Sequence, residues 1–118
     1  MLSRLFGFLG PKPVLVQGTD KLPEGESKVV ALGDPLAGGT EIVLCRVGGE
    51  MHALDRECPH AKGGKLVDGP LMEGKYVLCP LHNYKFDPKS GAEAAGGCGA
   101  AKVYKVREKG GDTEVWAS

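Results

Sequence analysis

The strongest constraint in the sequence is a pair of short motifs, Cys58-Pro59-His60 and Cys79-Pro80-Leu81-His82. Each sets a thiol and an imidazole almost side by side, and the eighteen residues 61–78 separate them. Together they use two of the four cysteines and two of the three histidines in a chain of 118 residues. Pro59 and Pro80, each directly after a Cys, stiffen the two bends.

Three chemistries compete for these side chains. A tetrahedral zinc ion accepts a Cys₂His₂ set. Structural zinc sites usually space paired ligands by two to four residues, however, and only Pro59 stands between Cys58 and His60. A Cys/His catalytic pair needs one thiol, one base and a substrate pocket, and leaves the second pair unexplained. A [2Fe–2S] cluster with two cysteines on one iron and two histidines on the other uses all four. With two metals close together, a Cys and a His one residue apart need not converge on a single ion. Glycines around the motifs let backbone N–H groups approach the sulfurs.

The length is that of one domain. Fifteen basic and fifteen acidic side chains give zero formal charge, and no stretch is strongly basic, which argues against nucleic acid as a partner. Four cysteines are few for a secreted disulfide scaffold of this length, so a cytoplasmic setting is expected. The first residues, MLSRLFGFLG, place Leu2, Leu5, Phe6 and Leu9 at helical spacing. The run is too short for a signal peptide, and no stretch reaches the about 20 apolar residues of a membrane span. It reads as a frayed or core-patching terminus, with a docking segment as the alternative.

Nineteen glycines and eight prolines, spread without a period, indicate short strands joined by tight turns. Strands are expected at 14–17, 27–32, 41–47, 50–55, 75–78, 84–86, 102–107 and 113–116. Gly48–Gly49 marks a hairpin, and KGGD marks the turn of a closing hairpin. The stretch EIVLCRV at 41–47 is apolar on both faces. No helix is expected beyond the N-terminal turn. The fold class is therefore all-β: an antiparallel β-sandwich or barrel with a smaller, loop-built subdomain carrying the Cys/His pairs. Residues 1–13 form an N-terminal extension and 14–118 the domain, with the ligand-bearing insert at about 56–91.

The stretch CPH…CPLHNYKFDPKSG resembles the cluster-binding signature of Rieske-type ferredoxins, and LPEGE, ALDRECPH, KFDPKSG and the final hairpin extend the likeness from Val14 onward. The resemblance implies one [2Fe–2S] cluster per chain, with Cys58 and Cys79 on one iron and His60 and His82 on the other. It implies a one-electron carrier without catalytic residues of its own, serving a partner reductase or oxygenase. CPLHN, the Gly97–Cys98 loop and KVYKV resemble the small subunit of NAD(P)H-dependent nitrite reductase, which we favour slightly. The general pattern equally resembles ferredoxins of ring-hydroxylating dioxygenases. A zinc-stabilised interaction module is the reading from another class.

Two departures from the family pattern matter. The interval between His60 and Cys79 is slightly longer than in common ferredoxins. High-potential Rieske proteins carry an extra Cys in each loop, where this chain has Lys62 or Gly63 and Leu81, and a Ser and a Tyr where it has Tyr84 and Phe86. Fewer donors to sulfur place the potential at the low end of the Rieske range, roughly −150 to 0 mV.

Several residues are expected outside the ligand set. Cys45 reads as a buried, inert thiol. Cys98 reads as a free loop thiol, with a Cys45–Cys98 disulfide as the competing pairing. His52 reads as a strand residue and non-ligand, and Trp116 as a packing residue. Lys62, Lys65 and Lys85 read as solvated, with steering of an acidic partner as the functional alternative.

Overall fold

The computed structural model describes residues 12–33, 39–59 and 63–116. The N-terminal turn expected from Leu2, Leu5, Phe6 and Leu9 lies outside the described residues, as do His60 and Lys62. Nine strands are described: β1 Val14–Val16, β2 Glu26–Leu32, β3 Thr40–Val47, β4 Glu50–Asp55, β5 Gly69–Pro70, β6 Val77–Cys79, β7 Tyr84–Phe86, β8 Val103–Lys109 and β9 Asp112–Trp116. Seven form one antiparallel sheet in the order β1-β9-β8-β4-β3-β2-β5, and β6 pairs with β7 in a separate two-stranded sheet. The all-β class holds; the one short helical element among the described residues is a 3₁₀ turn at Thr19–Lys21.

The two hairpins read from the sequence form as expected. Val47 pairs with Glu50 across Gly48 and Gly49, and Lys109 pairs with Asp112 across Gly110 and Gly111. All four glycines have positive φ, which two-residue hairpin turns of the right twist require. Strand bounds shift by at most two residues: β6 begins at Val77 rather than Lys75, which places Cys79 at a strand end. The pairing of Gly69–Pro70 with Glu26–Ser27 has no sequence signal beyond a turn dipeptide.

Strand β3 divides the interior. Ile42, Val43, Leu44 and Cys45 are all buried, as its double-sided apolar pattern demands. Ile42 and Leu44 point into a base core with Leu32, Met51, Ala53, Tyr104 and Val115. Val43 and Cys45 point the other way, into a second core with Leu54, Leu66, Val77 and Phe86, which also includes Cys58 and Cys79. Each fully buried aliphatic side chain here contributes roughly 1.5–3 kcal/mol.

Polar ties close the base. Arg46 Nε donates to the Leu22 carbonyl (2.8 Å) and Nη2 to that of Thr19 (3.1 Å), latching the 3₁₀ turn onto β3. The Glu24 carboxylate accepts the N–H groups of Gly48 (2.7 Å) and Gly49 (2.8 Å). Those amides hold its acid below the usual carboxylate range. The first acidic residue of LPEGE, Glu24, thus fixes the turn of the β3–β4 hairpin. Trp116 is half-buried on β9, with Lys105 Nζ 5.2 Å from its ring centroid, and belongs to neither core.

Candidate metal centre

Two ligand-bearing bends rise from the second core. The first leaves β4 and is pinned at its neck. Cys58 N–H donates to the Gly64 carbonyl (3.0 Å) and Leu66 N–H to that of Arg56 (2.7 Å). Arg56 secures the same neck through Nε to the Leu66 carbonyl (3.2 Å) and Nη1 to Glu41 (3.1 Å). The second bend is the β6–β7 connection, where Cys79 pairs with Tyr84. Asn83 adopts φ 56° there, a left-handed turn conformation that Asn tolerates better than most residues. Val67 N–H to the Leu78 carbonyl (3.0 Å) ties the two bends to each other.

The cysteines converge. Cys58 and Cys79 are buried, 6% and 0% exposed, free of disulfides, and in hydrogen-bonding contact through their thiols. Burial pushes the Cys79 thiol up, opposed by N–H groups of Leu81 and His82 that point at its sulfur; the Cys58 thiol pushes it further up. Those amides are the donors expected to stabilise a metal-bound thiolate. His82 lies on the exposed part of the turn, its ring 6.2 Å from that of Tyr84. Among the described residues no three His, Cys, Asp or Glu side chains close on a single ion. The donor set fits a [2Fe–2S] cluster: two buried soft sulfur ligands meet, with backbone N–H donors on one of them.

The sequence reading sets the remaining cysteines and His52 outside the ligand set. Burial pushes the Cys45 thiol up to about 12, so it is inert, and it donates to the His52 carbonyl (3.8 Å). His52 sits across from Cys45 on β4, away from the ligand bends. No Cys45–Cys98 disulfide forms, as both thiols are free. Cys98 is a free thiol, as expected, half-buried and packed on the second core. Of Lys62, Lys65 and Lys85, the two described reach solvent, and each has an acidic neighbour: Lys85 Nζ sits 2.8 Å from Glu73 and Lys65 Nζ 3.8 Å from Glu41.

A loop of small residues brings Cys98 here. Gly91, φ 80°, has its Cβ position 2.2 Å from the Ala101 carbonyl oxygen, so only glycine allows the loop 92–101 to close on itself. Its N–H donates to the Asp87 carbonyl (2.7 Å), and its own carbonyl accepts Ala101 N–H (2.8 Å). The small-residue composition of that loop was the available signal.

Residues 12–105 match the Rieske [2Fe–2S] domain family. The chain is 38% identical over 72 residues to the ferredoxin component of the naphthalene 1,2-dioxygenase/salicylate 5-hydroxylase systems of a Ralstonia species. That match covers 61% of this chain and 62% of the relative, less than two thirds of its length. Among solved structures, the ferredoxin of carbazole 1,9a-dioxygenase from Nocardioides aromaticivorans IC177 superposes with a TM-score of 0.74 at 28% identity, covering 91% of this chain and 99% of that one. A structure assigned as the NADH-dependent nitrite reductase small subunit of Mycobacterium tuberculosis shares the fold, with a TM-score of 0.62 at 22% identity over 87% and 94% of the two chains. The chain belongs to the Rieske [2Fe–2S] domain family.

Proposed function

We propose that the chain serves as the ferredoxin of an oxygenase system, with Cys58 and Cys79 holding one iron and His60 and His82 the other. The observation that carries this is the meeting of two buried, free thiols from separate bends, with His82 on an exposed turn beside them. Bound there, the cluster supplies one-electron chemistry. The chain's own residues hold it. Leu81 and His82 N–H groups point at the Cys79 sulfur, and Phe86, fully buried and without a hydroxyl, shares the core with both cysteines. A side chain unable to donate to sulfur supports a potential of roughly −150 to 0 mV.

The exposed position of His82 supports an electron route through its imidazole to a docked protein. A shallow groove of about 540 Å³ lies between the two bends, lined by Gly63, Gly64, Lys65, Val67, Pro80 and Leu81. Leu81 and Val67 are exposed there, at 53% and 37%, and an apolar rim beside a redox centre suits a transient partner. Identity above 25% to oxygenase ferredoxins in both sequence and structure supports an oxygenase partner. The nitrite reductase reading keeps the support of a shared fold over 87% of the chain. No described helix is long and apolar enough to cross a membrane, and four free thiols support a cytoplasmic setting. The start of β1 at Val14 supports a domain running from there to residue 118, with the ligand insert at 56–91.

The test is iron and acid-labile sulfide analysis with EPR of the dithionite-reduced protein. Two irons, two sulfides and an average g value below that of all-cysteine clusters are expected. One zinc and a colourless protein would make it an interaction module instead. Electron delivery to a purified oxygenase, set beside delivery to a sirohaem nitrite reductase, separates the two partners.

A further inference from the structure

Glu93 is 7% exposed, and it is the buried acidic or basic side chain among the described residues. Its partners are backbone N–H groups. Oε1 accepts from Gly97 (2.8 Å) and Ala95 (3.0 Å), and Oε2 from Lys85 (3.3 Å) on β7. A carboxylate is acceptor-only, so it takes these donors at both oxygens; an amide would turn an NH₂ group toward one of them. The segment so held packs against the second bend and on the core that includes Cys58. Gly97 lies against the Tyr84 ring, where a Cβ would come within 3.2 Å, and Tyr84 pairs with Cys79. Cys98 follows, packed on the core that contains Cys58 and within electrostatic reach of both Cys58 and Glu93.

From this arrangement we infer that Glu93 is a positioning residue for the cluster: its carboxylate staples the segment 94–98 over the ligand pair, and its fixed charge disfavours the reduced state. The inference rests on the ligand assignment proposed above. Two effects separate by chemistry. Glu93→Gln removes the charge while keeping one acceptor oxygen. Glu93→Ala removes both. A negative charge near a centre that gains an electron raises the energy of the reduced form. Removing it stabilises that form.

The experiment uses the iron-loaded protein in three forms: wild type, Glu93→Gln and Glu93→Ala. The midpoint potential of Glu93→Gln should rise above wild type. Cluster bleaching by a chelator should accelerate in the order wild type, Gln, Ala, with Ala about tenfold or more faster, the scale seen when support around metal ligands is lost. Alkylation of Cys98 by N-ethylmaleimide, mapped by mass spectrometry, should accelerate in Ala and be largely restored in Gln. Should Ala fail to fold, the potential of Gln still decides. An unchanged or lowered potential in Gln overturns the inference, as does a wild-type bleaching rate in Ala. Wild-type protein lacking iron would instead remove the ligand assignment beneath it, so the two failures are told apart.

Discussion

The two cores on opposite sides of β3 are built differently. The base core joins Leu32, Ile42, Leu44, Met51, Ala53, Tyr104 and Val115, residues of long, mutually paired strands. The second core is walled by a two-stranded sheet of three residues per strand and by loops, and two of its buried members are the cysteines that face each other. A short two-stranded sheet is marginal alone. The base can therefore stand on burial and strand pairing, whereas the cluster side gains order from the metal its thiols would bind.

The largest way to break that contrast is to remove a ligand. Cys79→Ser or Cys58→Ser should abolish the cluster, reading near zero iron and sulfide per chain, while far-UV circular dichroism keeps the β signal of the base. Collapse of both together would mean the two sides are one cooperative unit. Stripping the cluster from the wild type should give the same split in hydrogen exchange, with protection retained in β3, β4, β8 and β9 and lost in β6 and β7.

Core truncation sharpens the contrast. Phe86→Ala and Leu44→Ala each remove a fully buried side chain, at a cost of about 3–5 and 2–5 kcal/mol. Both should lower the denaturation midpoint. Phe86→Ala should also speed cluster loss, and Leu44→Ala should leave that rate near wild type at temperatures where the fold persists. Equal acceleration by both would erase the proposed division.

A smaller effect is expected at Gly91. Its positive φ and the Ala101 carbonyl 2.2 Å from its Cβ position leave no room for a methyl group. Gly91→Ala should cost more than about 1 kcal/mol and loosen the loop that carries Cys98, seen as faster Cys98 alkylation.

The smallest effect belongs to the base. Glu24 has its acid held down by the Gly49 and Gly48 amides. A carboxyl depressed in the folded state contributes stability above its unfolded value, and that contribution is lost as pH falls through the folded value. Stability should thus decline in mild acid, and Glu24→Gln should flatten that part of the profile without touching the cluster. A profile unchanged by Glu24→Gln would show that the hairpin turn does not need this tie.

Much of this arrangement was legible in the residues. Ile42–Cys45 announced a strand buried on both faces, and the Gly48–Gly49 and Gly110–Gly111 pairs announced hairpins because two-residue turns need positive φ. Cys58 and Cys79 could be nominated as partners because each stands beside a histidine in a motif that resembles the Rieske signature. Glu93 and Cys98 could not. Cys98 could be read as a loop thiol, but a single carboxylate and a single thiol in a run of small residues carry no periodicity that says what they pack against.

Local chemistry, acting over a few neighbouring residues, decided the strands and the turns, because dihedral preference and alternation are properties of short segments. Only the tertiary structure decided what covers them. Gly91 folding back on Ala101, Gly97 against Tyr84 and the Glu93 carboxylate reaching the Lys85 amide are contacts between segments. Such contacts depend on where the whole sheet has carried each segment, and that placement is written in no single stretch of the chain.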